Sequence, residues 1–229
     1  MPVMTDQPAT SELASALAVT TDLYGALHAL LGESVEIDSR RTFLTQGTIG
    51  IVIEHGVSIV SLVHDDCLAS ASVLLRAQFE ALVRALWLHY SADDDWIEKY
   101  FATVQAQPGK DPNMSRGMDE MLQDIAGKAP AALARMLLPL KAGAWGPLNS
   151  YVHAGIHPVV HQHLGVSDEF ALATLRNSNG LTCMAATLTA ILTGNRDQQR
   201  NVIAAQRAHA DCLPPLDPDR PPPATSSAT

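Results

Sequence analysis

The stretch from Cys67 to Tyr90, CLASASVLLRAQFEALVRALWLHY, runs 24 residues without a glycine or a proline. Its apolar residues recur at three- and four-residue steps, which is the period of an α-helix. Leu68, Leu75, Phe79, Leu82, Val83 and Leu86 form one broad face. Ala77, Ala81 and Ala85, four residues apart, form a second face on which a neighbouring helix can approach closely. Arg76, Glu80 and Arg84 run between the two. A helix with one bulky and one small face is surrounded, so this one belongs at the centre of a helical bundle.

The rest of the chain follows the same period. Residues 11 to 31 place Leu13, Leu17, Leu23, Leu27 and Leu30 on helical steps, and Gly32 closes the run. A second helix is expected from about Arg41 to Val63, although Gly47, Gly50 and Gly56 weaken it and "IGIVI" mimics a strand. After Tyr90, "SADDD" offers Ser91 or Asp93 as the cap of a helix carrying Trp96, Ile97, Tyr100, Phe101 and Val104. "QPGKDPNMSRG" reads as a loop, followed by short helices near 115–126 and 130–140. "KAGAWGPLN" reads as a break, with Pro147 in the first turn of a new helix. Ser167 starts a long helix that Gly194 ends, and Asn195 caps a last one to about Cys212. The expectation is a single all-α bundle of about six to eight helices over residues 11–212. Residues 1–10 are expected to be flexible. The Pro-rich tail, 213–229, has six prolines and no core-forming pattern, and is expected to be disordered.

Composition narrows the function. The formal net charge of −9 disfavours a nucleic-acid partner, whose phosphates need clustered Lys and Arg. Cys67, Cys183 and Cys212 show no CxxC spacing and read as buried or free thiols of a reducing compartment. The most apolar segment, "GTIGIVIEHGVSIVSLV", centres on Glu54 and His55, which lipid disfavours. A cytoplasmic protein without a membrane span or cofactor is expected.

Three groups of residues invite a functional reading. "SYVHAGIHPVVHQH" holds His153, His157, His161 and His163, and the first three are four apart. On a continuous helix they would line one face and could serve a metal-dependent hydrolase. Gly155 and Pro158 interrupt that ladder, however, so no metal is expected and His161 and His163 read as solvated. In the second group, Glu80 can pair with both Arg76 and Arg84. The expectation is a buried Glu80, with at least one of Asn149, Tyr151 and His153 reaching the ladder, because buried charge needs partners. In the third, Arg84 and His89 fit the R-x4-H spacing of HEPN-type ribonucleases, helical bundles of toxin and defence systems. Ala85 stands where that motif carries a polar residue, and the two side chains point about 140° apart on a straight helix.

Two segments carry a wider resemblance. "LLRAQFEALVRALWLHYSADDD" resembles the L-R-x-x-F-E-A…R-x-L-W-L run of an uncharacterised family of bacterial helical proteins. "LNSYVHAGI" resembles its S-Y-T-H-G-G segment, with Val152 for the threonine and Ala154 for the first glycine. The resemblance implies an all-helical fold and a pairing of Arg76 and Glu80 with the Tyr151–His153 segment. It implies no catalytic residue. The leading expectation is therefore a non-catalytic binding or interaction protein, a homodimer, with an unknown small ligand or protein partner. A HEPN-like ribonuclease using Arg84 and His89 is the alternative, and the histidine-ligated hydrolase a second.

Overall fold

The computed structural model describes residues 11–32, 35–106 and 116–215. The expected flexible N-terminus, most of the QPGKDPNMSRG loop and all but the first residues of the Pro-rich tail lie outside them. Among the described residues there are nine α-helices, one 3-10 turn and no strand: α1 (Ser11–Leu31), α2 (Arg40–His64), α3 (Leu68–Tyr90), α4 (Asp94–Ala106), α5 (Met118–Lys128), α6 (Ala131–Val152), α7 (Ile156–Leu164), α8 (Asp168–Leu192), α9 (Arg196–Ala208) and a turn at Ala210–Cys212. The protein is an all-α bundle.

The helix α3 occupies the centre that its two faces predict. It packs against α2, α5, α6 and α8, and Leu82, Val83, Ala85 and Leu86 are sealed from solvent. A second central helix, α8, is less obvious in the sequence because its core residues are small or polar. Ala185, Ser178, Asn179, Thr182 and Thr189 are buried beside Leu175 and Leu188. It carries α1 and α9 on its other side, around a second apolar cluster that includes Leu23, Leu27, Cys183 and Val202. Among the cysteines, Cys183 and Cys212 are buried and Cys67 is exposed, all three as free thiols.

Helix ends follow short-range chemistry. Ser39 Oγ accepts the Thr42 amide at 3.1 Å, Asp93 Oδ1 the Trp96 amide at 2.7 Å, and Asn195 Oδ1 the Asp197 and Gln198 amides. At the far end of α3, Arg41 donates to the Leu88 and Ala92 carbonyls, and Lys128 donates to the Ser91 carbonyl at 3.0 Å. Cations there satisfy the carbonyls that the helix leaves open.

One expectation needs correction here. The break at KAGAWGPLN does not occur, because α6 continues through both Pro139 and Pro147. Pro147 cannot donate to the carbonyl of Gly143. Burial of Leu137, Leu148 and Tyr151 holds the helix across the lost bond. Apolar length is a separate matter. Glu12–Leu31 and α2 are each long and apolar enough to cross a membrane, at mean hydropathies of 1.2 and 1.4. The same pattern suits a bundle helix, and α2 lays one face on α3 and α8, burying Ile49, Val52, Gly56 and Ile59.

Candidate functional site

The charged ladder on α3 is asymmetric. Arg76 Nε donates to Glu80 Oε1 at 3.0 Å, its Nη1 donates to Asn149 Oδ1 on α6, and its guanidinium lies over the Trp145 ring at 4.7 Å. Trp145 in turn meets Phe79 edge-on. The Arg76 side chain is thus mostly covered, at 19% exposure, while the Glu80 side chain is 42% exposed. Glu80 is therefore not buried between two arginines. Among the described residues Arg84 has no ion-pair or hydrogen-bond partner. The physical reason is α6, which crosses the helix at Arg76 and supplies an amide and an indole there, about two turns away from Arg84. Of the three residues expected to reach the ladder, Asn149 does.

Tyr151 and His153 go elsewhere. The Tyr151 hydroxyl bonds His161 Nδ1, and its ring stacks on Phe170 of α8 at 5.9 Å. His161 meets Phe170 edge-on at 5.1 Å. Burial raises the Tyr151 hydroxyl above its ordinary pKa. His161 is thus half-buried and bonded rather than solvated. His153 caps the end of α6 and points to solvent, as does His163.

The histidine ladder is broken at Gly155 as expected, but the chain restarts at Ile156 rather than at Pro158. Ala154 adopts φ +49°, and the Gly155 amide returns to the Ser150 carbonyl at 2.7 Å. A side chain at Gly155 would sit 2.6 Å from Ser150 Oγ, the oxygen that accepts the His157 amide. The chain therefore turns at Ala154–Gly155 and restarts at Ile156. Pro158 sits comfortably in the first turn of α7, where an N–H would have no intrahelical partner. His157 and His161 share one helix, with His153 beyond the turn. Among the described residues no three His, Cys, Asp or Glu side chains converge as a metal site would require.

Arg84 and His89 are not brought into contact either. Desolvation lowers the His89 pKa first, and the nearby cation that lowers it further is Arg41, not Arg84. A joint Arg84–His89 centre has no geometric support within one chain.

The turn and α7 form an arm that packs on α6 and buries none of its own side chains. With Val152 at the end of α6, it exposes Ile156, Val159, Val160 and Leu164, Ile156 at 68% and Leu164 at 82%. The signal for this surface lies in the sequence, though no motif carries it. From Ala142 to Ser167 there is no Lys, Arg, Asp or Glu, in a chain that holds 15 Lys and Arg and 24 Asp and Glu. An exposed helix without a single formal charge is unusual for a solvated surface.

Comparison with known proteins places the chain without assigning it a role. A model described as "Family of unknown function (DUF6988)" matches residues 49–215, and the chain belongs to that family. Both resembling segments fall inside the match. No curated protein and no solved structure matches.

Proposed function

We propose that this member of the family is a non-catalytic interaction protein of the cytoplasm, and that it assembles through the α6–α7 arm with the same arm of a second copy. The observation that carries the reading is the row of exposed apolar residues between Val152 and Leu164, in a stretch without a charged side chain. A chain of net charge −9 repels its own copy over most of its surface. The arm is where two copies meet without bringing carboxylates together. A two-fold contact also needs only one self-complementary patch. The exposed apolar side chains amount to about 400–500 Å² per copy, within the range of functional surface patches. Two such patches would bury about 800–1,000 Å² in total, which suits a weak, reversible dimer. The three free thiols favour a reducing compartment.

Sedimentation velocity over a concentration series tests the reading, on the wild type and on an Ile156→Glu/Leu164→Glu double variant. The expected result is a concentration-dependent dimer that the double variant abolishes, with its helical content unchanged. A wild type that stays monomeric up to about 100 µM, far above a useful weak Kd, overturns it, as does a dimer indifferent to the substitutions.

A further inference from the structure

The helices α1 and α2 both pack on α8 but scarcely touch each other, which leaves a cleft of about 420 Å³ between them. A second, shallower depression follows the same two helices beyond it, near Leu17 and Val60. The size of the cleft is that of a small-molecule site. Leu27 of α1, Ile53 and Val57 of α2 and Ala186 of α8 supply apolar walls. Among the described residues no Lys, Arg, Asp or Glu lines it, and His28 is the one basic group. A charged ligand would lose its hydration there without a counter-charge, so the cleft favours a neutral one.

The walls of the cleft also carry polar groups. Thr182 Oγ1 donates its proton to the Ser178 carbonyl at 3.1 Å and accepts from Gln78 Nε2 at 3.0 Å. The Tyr24 hydroxyl, 3.0 Å from Thr182 Oγ1, is then the donor of that bond. Burial pushes the Tyr24 pKa up to about 12, so the hydroxyl keeps its proton through the physiological range. Gln46 Oε1, in the α2 wall, is buried and has no hydrogen-bond partner among the described residues. A buried acceptor without a donor is costly, and a ligand that supplies one recovers that cost.

We propose that the cleft between α1, α2 and α8 binds a neutral amphiphile, an apolar chain or ring ending in a hydroxyl or amide N–H that donates to Gln46 Oε1. The site is separate from the α7 arm, so dimerisation and ligand binding stand or fall independently.

The test uses the full chain and the neutral fluorophore N-phenyl-1-naphthylamine, displaced by 1-octanol, by octyl methyl ether and by octanoate. Saturable fluorophore binding is expected, with octanol displacing it about five- to tenfold better than the ether, which lacks the donor. Octanoate should be weaker than octanol by at least as much. Gln46→Leu keeps the shape of the wall and removes the acceptor, so it should erase octanol's advantage over the ether. Val57→Trp, at a half-exposed position, should block the fluorophore without unfolding the chain. Absence of saturable binding in the wild type overturns the site, and so does binding indifferent to Val57→Trp. Octanoate binding as tightly as octanol, or an octanol preference that survives Gln46→Leu, overturns the ligand class.

Discussion

Gly56, in the middle of α2, faces a crowded polar contact. A Cβ there would lie 2.4 Å from Thr182 Oγ1, and 2.9 Å from both Gln78 Nε2 and the Tyr24 hydroxyl oxygen. In an open helix, glycine to alanine stabilises by about 1 kcal/mol. At Gly56 the methyl group must displace Thr182, which is fixed by hydrogen bonds to Tyr24, Gln78 and Ser178. Overpacking a tight site costs about 1–3 kcal/mol, and each buried hydrogen bond broken without replacement costs about 1–3 kcal/mol more. With the helix gain subtracted, Gly56→Ala should destabilise by about 3 kcal/mol. Gly50→Ala is the internal control. It lies on the same helix with nothing within 4 Å of the added carbon, and should stabilise by about 0.5–1 kcal/mol. Urea denaturation of the two variants should shift the midpoint in opposite directions, with the m-value unchanged. Stabilisation by Gly56→Ala would refute the packing of α2 against α8 through this contact.

Three further outcomes follow from the site. Ala154→Gly relieves the left-handed backbone at φ +49° and should stabilise by about 1 kcal/mol in the same denaturation assay. Glu80→Ala should cost under about 1 kcal/mol, because the pair is half-exposed and Arg76 keeps Asn149 and Trp145; a loss above about 3 kcal/mol would restore a buried ladder. The pKa of His89 is lowered in the fold, so the unfolded chain takes up its proton first. Stability should therefore be fully present above about pH 6.5 and fall as the pH drops from there toward the folded-state pKa. A His89→Gln variant should lose that part of the acid slope in thermal melts across this range.

The fold was largely legible because it rests on local signals. The unbroken run from Cys67 to Tyr90, the caps at Asp93, Ser167 and Asn195, and the stop at Gly194 are each read from a few neighbouring residues. Reading failed where the third dimension decides. Pro147 looked like a helix start because sequence shows the lost hydrogen bond but not the burial that bridges it. Glu80 looked buried because helical spacing offers it two arginines, whereas α6 covers one of them. Tyr151 and His161 form a pair that spacing could not assign, since Phe170 of α8 completes it. Gln46, Tyr24 and Thr182 are ordinary residues on three distant segments, and only the approach of α1, α2 and α8 makes them one cleft. The charge-free run from Ala142 to Ser167 was visible from the start, but it acquires meaning only once α7 stands exposed.

Hydrogen exchange followed by mass spectrometry at low and high protein concentration tests the central claim most directly. If two copies meet through the arm, amides between Val152 and Leu164 exchange more slowly in the concentrated sample, and those of the other helices are unchanged. Exchange in the arm that is independent of concentration would contradict the account. So would protection appearing instead on the other exposed apolar face, along Phe43, Ile51 and Val57 of α2.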